Sequence, residues 1–486
     1  MIVPNIYAHA RQRPNKIAVI YGEYQLSYRE FADAIGAVQR YFGTLGLSAG
    51  GVAVLAIAAL ADSWIVGLAL RGLGLTTVAV RSADQLSQLG LSNIQCVVTS
   101  EIEGWLGLES LCATAGWQRV LIPEAIFADI AAGTVQLAKK QGGHILLTSG
   151  TTGHYKKVLI DSGRSAIQAS LRKRLLEISG RSVLNMTQYP SWTGAGYHYP
   201  SITWASGGTV VFQEVNLFAP LHRGRVTHAK ATPWTLAQAF AAPRGVLCRD
   251  DAMRLYLGGG PLSQSLADET RARLTRQIYT YLAATEVGPF ALTPLEGPED
   301  LRWHRILPSR EAQIVDADDR ILPAGREGRL RVRVIDGLNG YLHDDETSRA
   351  FFHNGYFYSG DLGVIGPDGR LALVGRVTDV VNILGSKFPP GPIEEAVQRE
   401  FGVSAACVFS MNRADGEEIV HIAIESRQRV DLDRLAVLLG KMLPSPFQTP
   451  VHHVETLPRN HMGKVQRDIL RHQLGLAGKP RDISHC

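Results

Sequence analysis

Hydrophobic and polar positions along the first part of the chain alternate between helical and strand spacing. Apolar residues recur at helical intervals over residues 28–45, and residues 52–58 form a continuous apolar run, which is typical of a central parallel strand. Shorter runs of the same kind follow at 97–99, 120–122 and 145–148. Strands that alternate with helices predict a doubly wound α/β sheet.

The pattern changes between about residues 310 and 377. Short alternating strands are predicted at 313–315, 330–334 and 371–374, separated by turns of the Asp-Asp, Pro-Ala-Gly and Pro-Asp-Gly type. Such a pattern indicates a β-rich subdomain built from hairpins.

The C-terminal part of the chain again mixes the two spacings. A helix is predicted at 393–401 and strands at 405–409 and 418–425. We therefore predict a large N-terminal domain (residues 1–376), of α/β subdomains with the β-rich subdomain from about 310, and a small mobile α+β domain (residues 377–486).

Length and composition limit the class of protein. At 486 residues the chain is too long for one ordinary core. Its formal net charge of +5 is small and no basic run is present, which argues against nucleic-acid binding. The apolar stretch at 52–80 is interrupted by Asp62, Arg71 and three glycines, so we expect no membrane span there.

Cysteine usage and the N-terminus bear on location. The five cysteines are scattered, and no two have metal-ligand spacing, which favours a reducing compartment and argues against a disulfide framework or a zinc site. The first residues lack a charged-then-apolar signal pattern. We therefore expect a cytoplasmic protein.

The most informative segment is L-T-S-G-T-T-G-H-Y-K-K-V at 147–158. A predicted strand enters a loop with two glycines, hydroxyls and two lysines, and a second strand follows. Glycines allow close approach of the backbone to phosphate, hydroxyls donate hydrogen bonds, and lysine neutralises charge. The segment is not a Walker loop, because Lys-Ser or Lys-Thr does not follow the second glycine. Alone, it is equally compatible with a solvated hairpin.

The loop resembles the phosphate loop of the adenylate-forming superfamily, whose pattern is T-S-G-T-T-G-x-P-K-G-V. Further segments resemble this family's signposts in the same order: G-G-G-P-L at 258–262, L-A-A-T-E at 282–286, Y-S-G-D at 358–361, G-R-V-T-D at 375–379 and P-R-N-H-M-G-K-V at 458–465. The resemblance extends from residue 26 to residue 467, and its motifs are more specific together than singly.

The resemblance implies an ATP-dependent, AMP-forming ligase of the acyl-coenzyme A synthetase type, with the corresponding fold. It implies catalytic roles for Lys464, Glu286 and Thr152, with Glu286 as the ligand of Mg²⁺. It assigns nucleotide binding to Thr148, Ser149, Gly150, Thr151, Thr152, Gly153, Lys156, Gly258, Gly259, Gly260, Leu282, Ala283, Thr285, Asp361, Arg376 and Lys464.

The residues at 189–198 occupy the place of the family's acyl-pocket segment. We expect the substrate pocket to include Trp192, Thr193, Gly196, Tyr197 and Gly258, although Trp192 and Tyr197 are also compatible with core packing. The segment contains no carboxylate, and a buried ammonium without a partner is costly. The sequence therefore predicts a small carboxylic acid without an α-amino group.

Three departures from the family pattern bear on activity. Tyr155 replaces the loop proline, Leu282-Ala283 replaces Tyr-Gly at the adenine site, and Thr378 replaces an acidic residue at the hinge between the domains. Coenzyme A is the predicted acceptor, and the altered hinge leaves open a carrier protein or an amine. A nucleotide-binding or acyl-binding relative without turnover is a third alternative. A homodimer is left open.

Overall fold

A computed structural model describes residues 2–100, 105, 107–123, 137–149, 155–186, 189–212, 226–241, 247, 249–379, 381–383, 386–388, 390–412, 418–426, 429–442, 449–459, 463 and 465–475. For residues 149, 378, 381–383, 386–388, 412 and 418 it describes the backbone alone.

The helices lie on both sides of two large sheets and in the C-terminal part. They are α1 (Ile2–Gln12), α2 (Tyr28–Gly43), α3 (Leu60–Gly72), α4 (Ala83–Ser87), α5 (Leu108–Ala115), α6 (Ser162–Leu175), α7 (Gly194–Ala205), α8 (Pro233–Phe240), α9 (Gln264–Arg273), α10 (Asp345–Phe351), α11 (Pro390–Phe401), α12 (Leu432–Met442) and α13 (Arg467–Gln473). In the part of the chain that is described, no helix has both the length and the apolar character needed to cross a bilayer.

The strands fall into five sheets. They are β1 (Ile17–Tyr21), β2 (Tyr24–Ser27), β3 (Val52–Ala56), β4 (Thr76–Ala79), β5 (Ile94–Ser100), β6 (Gln118–Ile122), β7 (His144–Ser149), β8 (Tyr155–Ile160), β9 (Val183–Asn185), β10 (Thr209–Phe212), β11 (His228–Ala231), β12 (Arg254–Leu257), β13 (Ile278–Ala284), β14 (Gly288–Pro294), β15 (Ala312–Val315), β16 (Gly328–Arg333), β17 (Phe352–His353), β18 (Tyr356–Ile365), β19 (Leu371–Arg376), β20 (Val381–Ile383), β21 (Ser386–Phe388), β22 (Ala405–Asn412), β23 (Glu418–Glu425) and β24 (Val451–Val454).

The first large sheet has six strands in the order β6-β5-β3-β4-β7-β8. All neighbours are parallel except β7 and β8, which form an antiparallel hairpin. All five residues of β3 are buried, as its continuous apolar run predicts for a strand covered on both faces. The helix predicted before β3 is confirmed as α2. It begins with a capping box between Ser27 and Glu30.

The second large sheet has eight strands in the order β14-β13-β12-β11-β9-β10-β1-β2. Its central strands β13, β12, β11, β9, β10 and β1 run parallel, and antiparallel strands close both edges. The doubly wound α/β prediction is therefore confirmed.

The β-rich subdomain predicted after residue 310 is present as a five-stranded sheet of β15, β16, β18, β17 and β19. Its pairings are antiparallel, as expected for hairpins. A separate three-stranded sheet, β22-β23-β24, packs against α11 and α12 in the C-terminal part. The predicted helix and strands there are confirmed, and β22 and α11 extend beyond the predicted bounds.

Candidate active site

The carboxyl ends of the parallel strands β9, β11, β12 and β13 meet at one edge of the eight-stranded sheet. Residues 189–197 and the motif residues 258–260 and 285–286 follow three of these strands. Their loops are in contact: a Cβ atom added to Gly194 would lie 3.3 Å from Thr285 Oγ1, and one added to Gly258 would lie 2.8 Å from the Tyr281 ring. The fold therefore brings together three motifs that are distant in sequence.

The phosphate-loop segment is a hairpin, as predicted. Thr148 and Lys156 are directly opposite in the β7–β8 pairing. The predicted ligands Gly150, Thr151, Thr152 and Gly153 lie outside the described residues, and Ser149 is described by its backbone alone.

The hairpin is tied to the predicted acyl segment. The Leu147 backbone N–H donates to the Trp192 carbonyl at 2.8 Å, and the His144 ring lies 2.8 Å from the Ser191 carbonyl through Nε2. Tyr155, which replaces the family's proline, begins β8, and its hydroxyl lies 3.4 Å from Arg81.

Lys156 projects between two aromatic rings. Its amine lies 3.2 Å from the centroid of Phe351 and 5.2 Å from that of Tyr341. Burial lowers the pKa of Lys156 to about 8, and the nearby Glu286 carboxylate opposes this shift. The charge of Arg376 acts in the same direction as burial, so three motif side chains are in electrostatic contact.

Glu286 is a buried carboxylate at the end of the L-A-A-T-E motif. The Tyr341 hydroxyl donates to its Oε1 at 2.8 Å. Burial raises the pKa of Glu286, while Tyr341, Lys156 and Arg376 oppose that shift. The backbone carbonyl of Glu286 accepts a hydrogen bond from Arg164 at 3.1 Å, which fixes the position of the residue.

The donor set at Glu286 fits a cation that is shared with a phosphate. No group of three or more His, Cys, Asp or Glu side chains that could hold a metal occurs in the described segments. Mg²⁺ is commonly held by one or two carboxylates together with water and substrate phosphate. One carboxylate beside a phosphate hairpin is consistent with that mode.

Asp361 and Arg376 form a pair across β18 and β19. They are register partners, and Arg376 Nε lies 3.0 Å from Asp361 Oδ1. Both side chains keep some exposure, 18% for Asp361 and 39% for Arg376. The Asp361 carboxylate therefore has oxygen lone pairs that are accessible to a ligand.

The adenine-side residues lie on β13. The pairing with β14 has an irregularity between Leu282 and Ala283. Leu282 packs with the cluster of Val287 and Phe290, whereas Tyr281 packs beneath Gly258. Tyr281 and Leu282 thus point to opposite faces, as strand alternation predicts.

Within the acyl segment, Thr193 and Gly196 have local structural roles. Thr193 is the N-cap of α7, and its hydroxyl accepts from the Gly196 N–H at 3.0 Å. A side chain on Gly196 would overlap the Pro190 carbonyl. Contact of either residue with an acid stays a prediction.

The two aromatic residues predicted for the pocket, Trp192 and Tyr197, both pack against the hydrophobic core. Tyr197 is stacked on His144 with 4.6 Å between ring centroids, and Trp64 and His198 are further ring neighbours. Trp192 is partly buried and packs against two hydrophobic clusters. The core-packing alternative therefore accounts for the observed contacts of Tyr197.

Lys464 lies outside the described residues, but its neighbours Gly463 and Val465 do not. A Cβ on Gly463 would lie 2.5 Å from Trp234 Cβ, in the first turn of α8. Since α8 follows β11, Gly463 lies against an element that begins at the same sheet edge as the other motifs.

The predicted hinge residue Thr378 is in a short 3₁₀ helix, Val377–Asp379, directly after β19. The carboxylate of Asp379 accepts from Arg467 at 2.8 Å, and Arg467 also pairs with Glu394 at 2.7 Å. This ion-pair network ties the hinge to α11 and α13.

Three residues at the site carry no family motif and were missed by the sequence reasoning: Lys230, Tyr341 and Trp234. Tyr341 contacts Glu286, Trp234 contacts the Lys464 loop, and Lys230 is buried on β11. Of these three residues, Lys230 has a signal in the sequence, because it is a charged residue between two alanines, Ala229 and Ala231.

The fold defines the class of protein. The chain is similar to the ATP-bound structure of MatB from Rhodopseudomonas palustris, with a TM-score of 0.81 over 97% of this chain and 99% of that one, at 21% identity. It is also similar to the amide bond synthetase McbA from Marinactinospora thermotolerans, with a TM-score of 0.80 over 97% and 100% of the chains, at 20% identity. The architecture is therefore that of the adenylate-forming enzymes.

A sequence profile described as AMP-binding enzyme matches residues 6–342. The chain belongs to this family, and it is an AMP-forming ligase. Among curated proteins it is 23% identical to the mitochondrial acyl-coenzyme A synthetase ACSM4 of Rattus norvegicus, in an alignment that covers 88% of this chain and 80% of that protein.

Proposed function

We propose that this ligase converts a carboxylic acid without an α-amino group to its acyl-adenylate and transfers the acyl group to the thiol of coenzyme A. The observation that carries the first half of the proposal is the electrostatic contact among Lys156, Glu286 and Arg376. These residues come from three motifs that are far apart in the sequence. Each side chain suits a different portion of ATP.

Each side chain has a role that its chemistry supports. Lys156, with Ser149, Thr151 and Thr152, would hold the outer phosphates, and Asp361 would accept hydrogen bonds from the ribose hydroxyls. Arg376 would contact the ribose or the α-phosphate. Glu286 would hold Mg²⁺, which supplies charge neutralisation at the phosphates when bound.

Lys464 would act on the reacting atoms. A carboxylate attacks the α-phosphate poorly, because both carry negative charge, and an ammonium between them stabilises the charge that develops. The contact of Gly463 with Trp234 supports a position for Lys464 near this edge. After adenylation, rotation about the hinge at Thr378 would admit the thiol, and the boundary at residue 376 remains a prediction.

The exclusion of an α-amino acid rests on charge. The segment at 189–198 has no carboxylate. The amine of Lys230 lies 5.5 Å from the ring centroid of Tyr189, and the charge of Arg172 acts on His198. A substrate ammonium would therefore be desolvated beside cations without a counter-ion, which is strongly unfavourable.

An amine acceptor is the second candidate. Thr378 stands where the family has an acidic hinge residue, and a β-branched residue restricts the rotamers at the point that reorients. The similarity to a protein named as an amide bond synthetase favours the same alternative. A pantetheine thiol on a carrier protein is a third acceptor, compatible with the same first step.

The test is ATP–pyrophosphate exchange with magnesium, without an acceptor, across aryl, short-chain, medium-chain and amino acids. We expect exchange with some acids and none with α-amino acids. The active acid is then incubated with coenzyme A, a holo carrier protein and free amines. Folded protein that binds ATP but supports no exchange across the panel would contradict adenylation, and a product only with amines would contradict the thiol acceptor.

A further inference from the structure

Lys230 is buried in the middle of the eight-stranded sheet, with 1% of its surface exposed. Three tyrosine rings surround its amine. The ring centroid of Tyr281 is 3.6 Å from Nζ, and those of Tyr189 and Tyr199 are each 5.5 Å away. Aromatic faces attract an ammonium, but they accept none of its three hydrogen bonds as a carboxylate would.

No acidic side chain in the described parts of the chain compensates this amine. Burial lowers the pKa of Lys230 well below its usual value, and the one charge that contributes is that of Arg172, which lowers it further. The carboxylate of Asp336, which acts on Arg172, is already engaged by Arg164 and Gln168. The amine is thus a desolvated donor in a positive environment.

The cluster also contains a tyrosine hydroxyl that lacks a hydrogen-bond partner. The Tyr189 hydroxyl is buried and has no hydrogen-bond partner among the described residues. Tyr189 itself is 2% exposed. A buried hydroxyl without a partner is costly, and a ligand that accepts a hydrogen bond from it removes that cost.

The cluster borders the predicted acid pocket. Tyr189 begins the segment at 189–198, and Tyr281 lies directly beneath Gly258. Lys230 is on β11, whose carboxyl end leads into Trp234 and the contact with Gly463. An acid that enters at the sheet edge with its reacting carboxylate near Lys464 would direct its other end toward the amine.

We propose that Lys230, with the hydroxyl of Tyr189, binds a second carboxylate of the acid substrate, at the end remote from the carboxylate that is activated. This inference rests on the proposed adenylation of an acid and specifies the class of that acid. A carboxylate beside the amine would favour its protonated form, so that the two oxygens accept from an ammonium and from a neutral hydroxyl in a dry site.

The test uses acids in matched pairs that differ in the remote group. Terephthalate is compared with 4-methylbenzoate, adipate with hexanoate, and 4-hydroxybenzoate serves as a neutral acceptor. ATP–pyrophosphate exchange is measured for the wild type, Lys230→Met and Tyr189→Phe. Methionine keeps the length and most of the volume of lysine without the charge, and phenylalanine removes only the hydroxyl.

We expect the wild type to favour a dicarboxylate over its methyl partner. Loss of one partner of a buried charge pair should lower kcat/KM for the dicarboxylate on the order of 10²–10³-fold in Lys230→Met. The methyl acid should be used equally well or better. Tyr189→Phe should show the same selectivity change at smaller size.

Thermal unfolding without ligand separates a binding role from a structural role. Removal of an uncompensated buried amine should leave Tm unchanged or raise it. A large fall in Tm of Lys230→Met, together with equal loss for both members of each pair, would overturn the inference. A wild-type preference for the methyl acid or for 4-hydroxybenzoate over the dicarboxylate would also overturn it.

Binding measured without ATP distinguishes this inference from the proposed function. Calorimetric titration with terephthalate and adipate should give heats in the wild type that are lost in Lys230→Met. If such binding is present but no acid supports exchange, adenylation fails and the inference stands. If acids support exchange but bind Lys230→Met as well as the wild type, adenylation stands and the inference fails.

Discussion

Two lysines on either side of the site, the half-buried Lys156 and the buried Lys230, have similar aromatic neighbours but different charge environments. Lys156 lies over Phe351 and Tyr341, and Lys230 lies over Tyr281. The carboxylate of Glu286 acts on Lys156, whereas the one charge that acts on Lys230 is another cation. Aromatic contact alone therefore says little about what a buried lysine does.

This difference shows on which side of the site the charged groups are compensated without a ligand. On the phosphate side, Asp361 and Arg376 form an ion pair, and the Glu286 carboxylate acts on Lys156. On the acid side, Lys230 has no partner of opposite charge among the described residues. A ligand competes with existing pairs in the first case and supplies the missing partner in the second.

Among the variants that test this comparison, Lys464→Ala has the largest expected effect. We expect adenylation to fall ~10²–10³-fold with every acid, because a preorganised donor to the transition state is lost. Formation of the thioester from supplied acyl-adenylate should largely survive. Exchange and the second half-reaction are measured separately, and the loss should not depend on the remote group of the acid, in contrast to Lys230→Met.

Lys441→Ala is the matched control, since Lys441 is an exposed lysine near the end of α12 in the same C-terminal part. It should retain both half-reactions. Equal loss of both steps in Lys464→Ala would contradict the assigned role and would point to a general effect on domain placement.

The parts of the fold that the sequence predicts are those that local spacing determines. The hairpin of β7 and β8, the buried strand β3 and the helix α11 all follow from runs or periodicity within a few residues. The roles of the motif residues come from family resemblance and stay predictions, although Glu286 and Arg376 both act electrostatically on Lys156.

Lys230 could not be predicted in the same way. The sequence H-A-K-A at 228–231 alternates, and alternation is usually typical of a strand with one solvated face. In the fold, both faces of β11 are buried, because Tyr199 of α7 covers the lysine side and Ala229 and Ala231 pack in a separate cluster. Which face a polar residue meets depends on elements that are distant in sequence.

Tyr341→Phe should have an intermediate effect on the phosphate side. The hydroxyl of Tyr341 donates to Glu286, and its loss leaves that buried carboxylate with one partner fewer. Loss of a group that orients a metal ligand typically costs about 10–100-fold in metal affinity or activity. The apparent KM for magnesium should rise by such a factor, in exchange assays at fixed free ATP.

Substrate choice provides the control for this variant. The preference between terephthalate and 4-methylbenzoate should be unchanged in Tyr341→Phe, because the acid side is intact. If Tyr341→Phe changed the preference between the two acids but not the apparent KM for magnesium, the distinction between the phosphate side and the acid side would be wrong.

The pH dependence of ATP use should show the smallest effect and should be specific to Lys156. Its pKa is about 8 in the free protein, so the amine is protonated and able to bind phosphate below that value and neutral above it. Above pH 8, kcat/KM for ATP should therefore fall by up to about tenfold per pH unit, since this ratio reports ionisation of the free enzyme. Glu286, Asp344 and Arg376 also act on this group.

Lys156→Arg tests the origin of the decline. Arginine stays charged throughout this range, so the variant should lose the fall above pH 8 even if its activity at pH 7 is lower. The same steep fall in Lys156→Arg would assign the titration to another group. A dicarboxylate supplies a counter-charge only to Lys230. The pH profile of kcat/KM for ATP should therefore be the same with either member of an acid pair. A pH profile that shifts with the remote group of the acid would show that the two lysines are coupled.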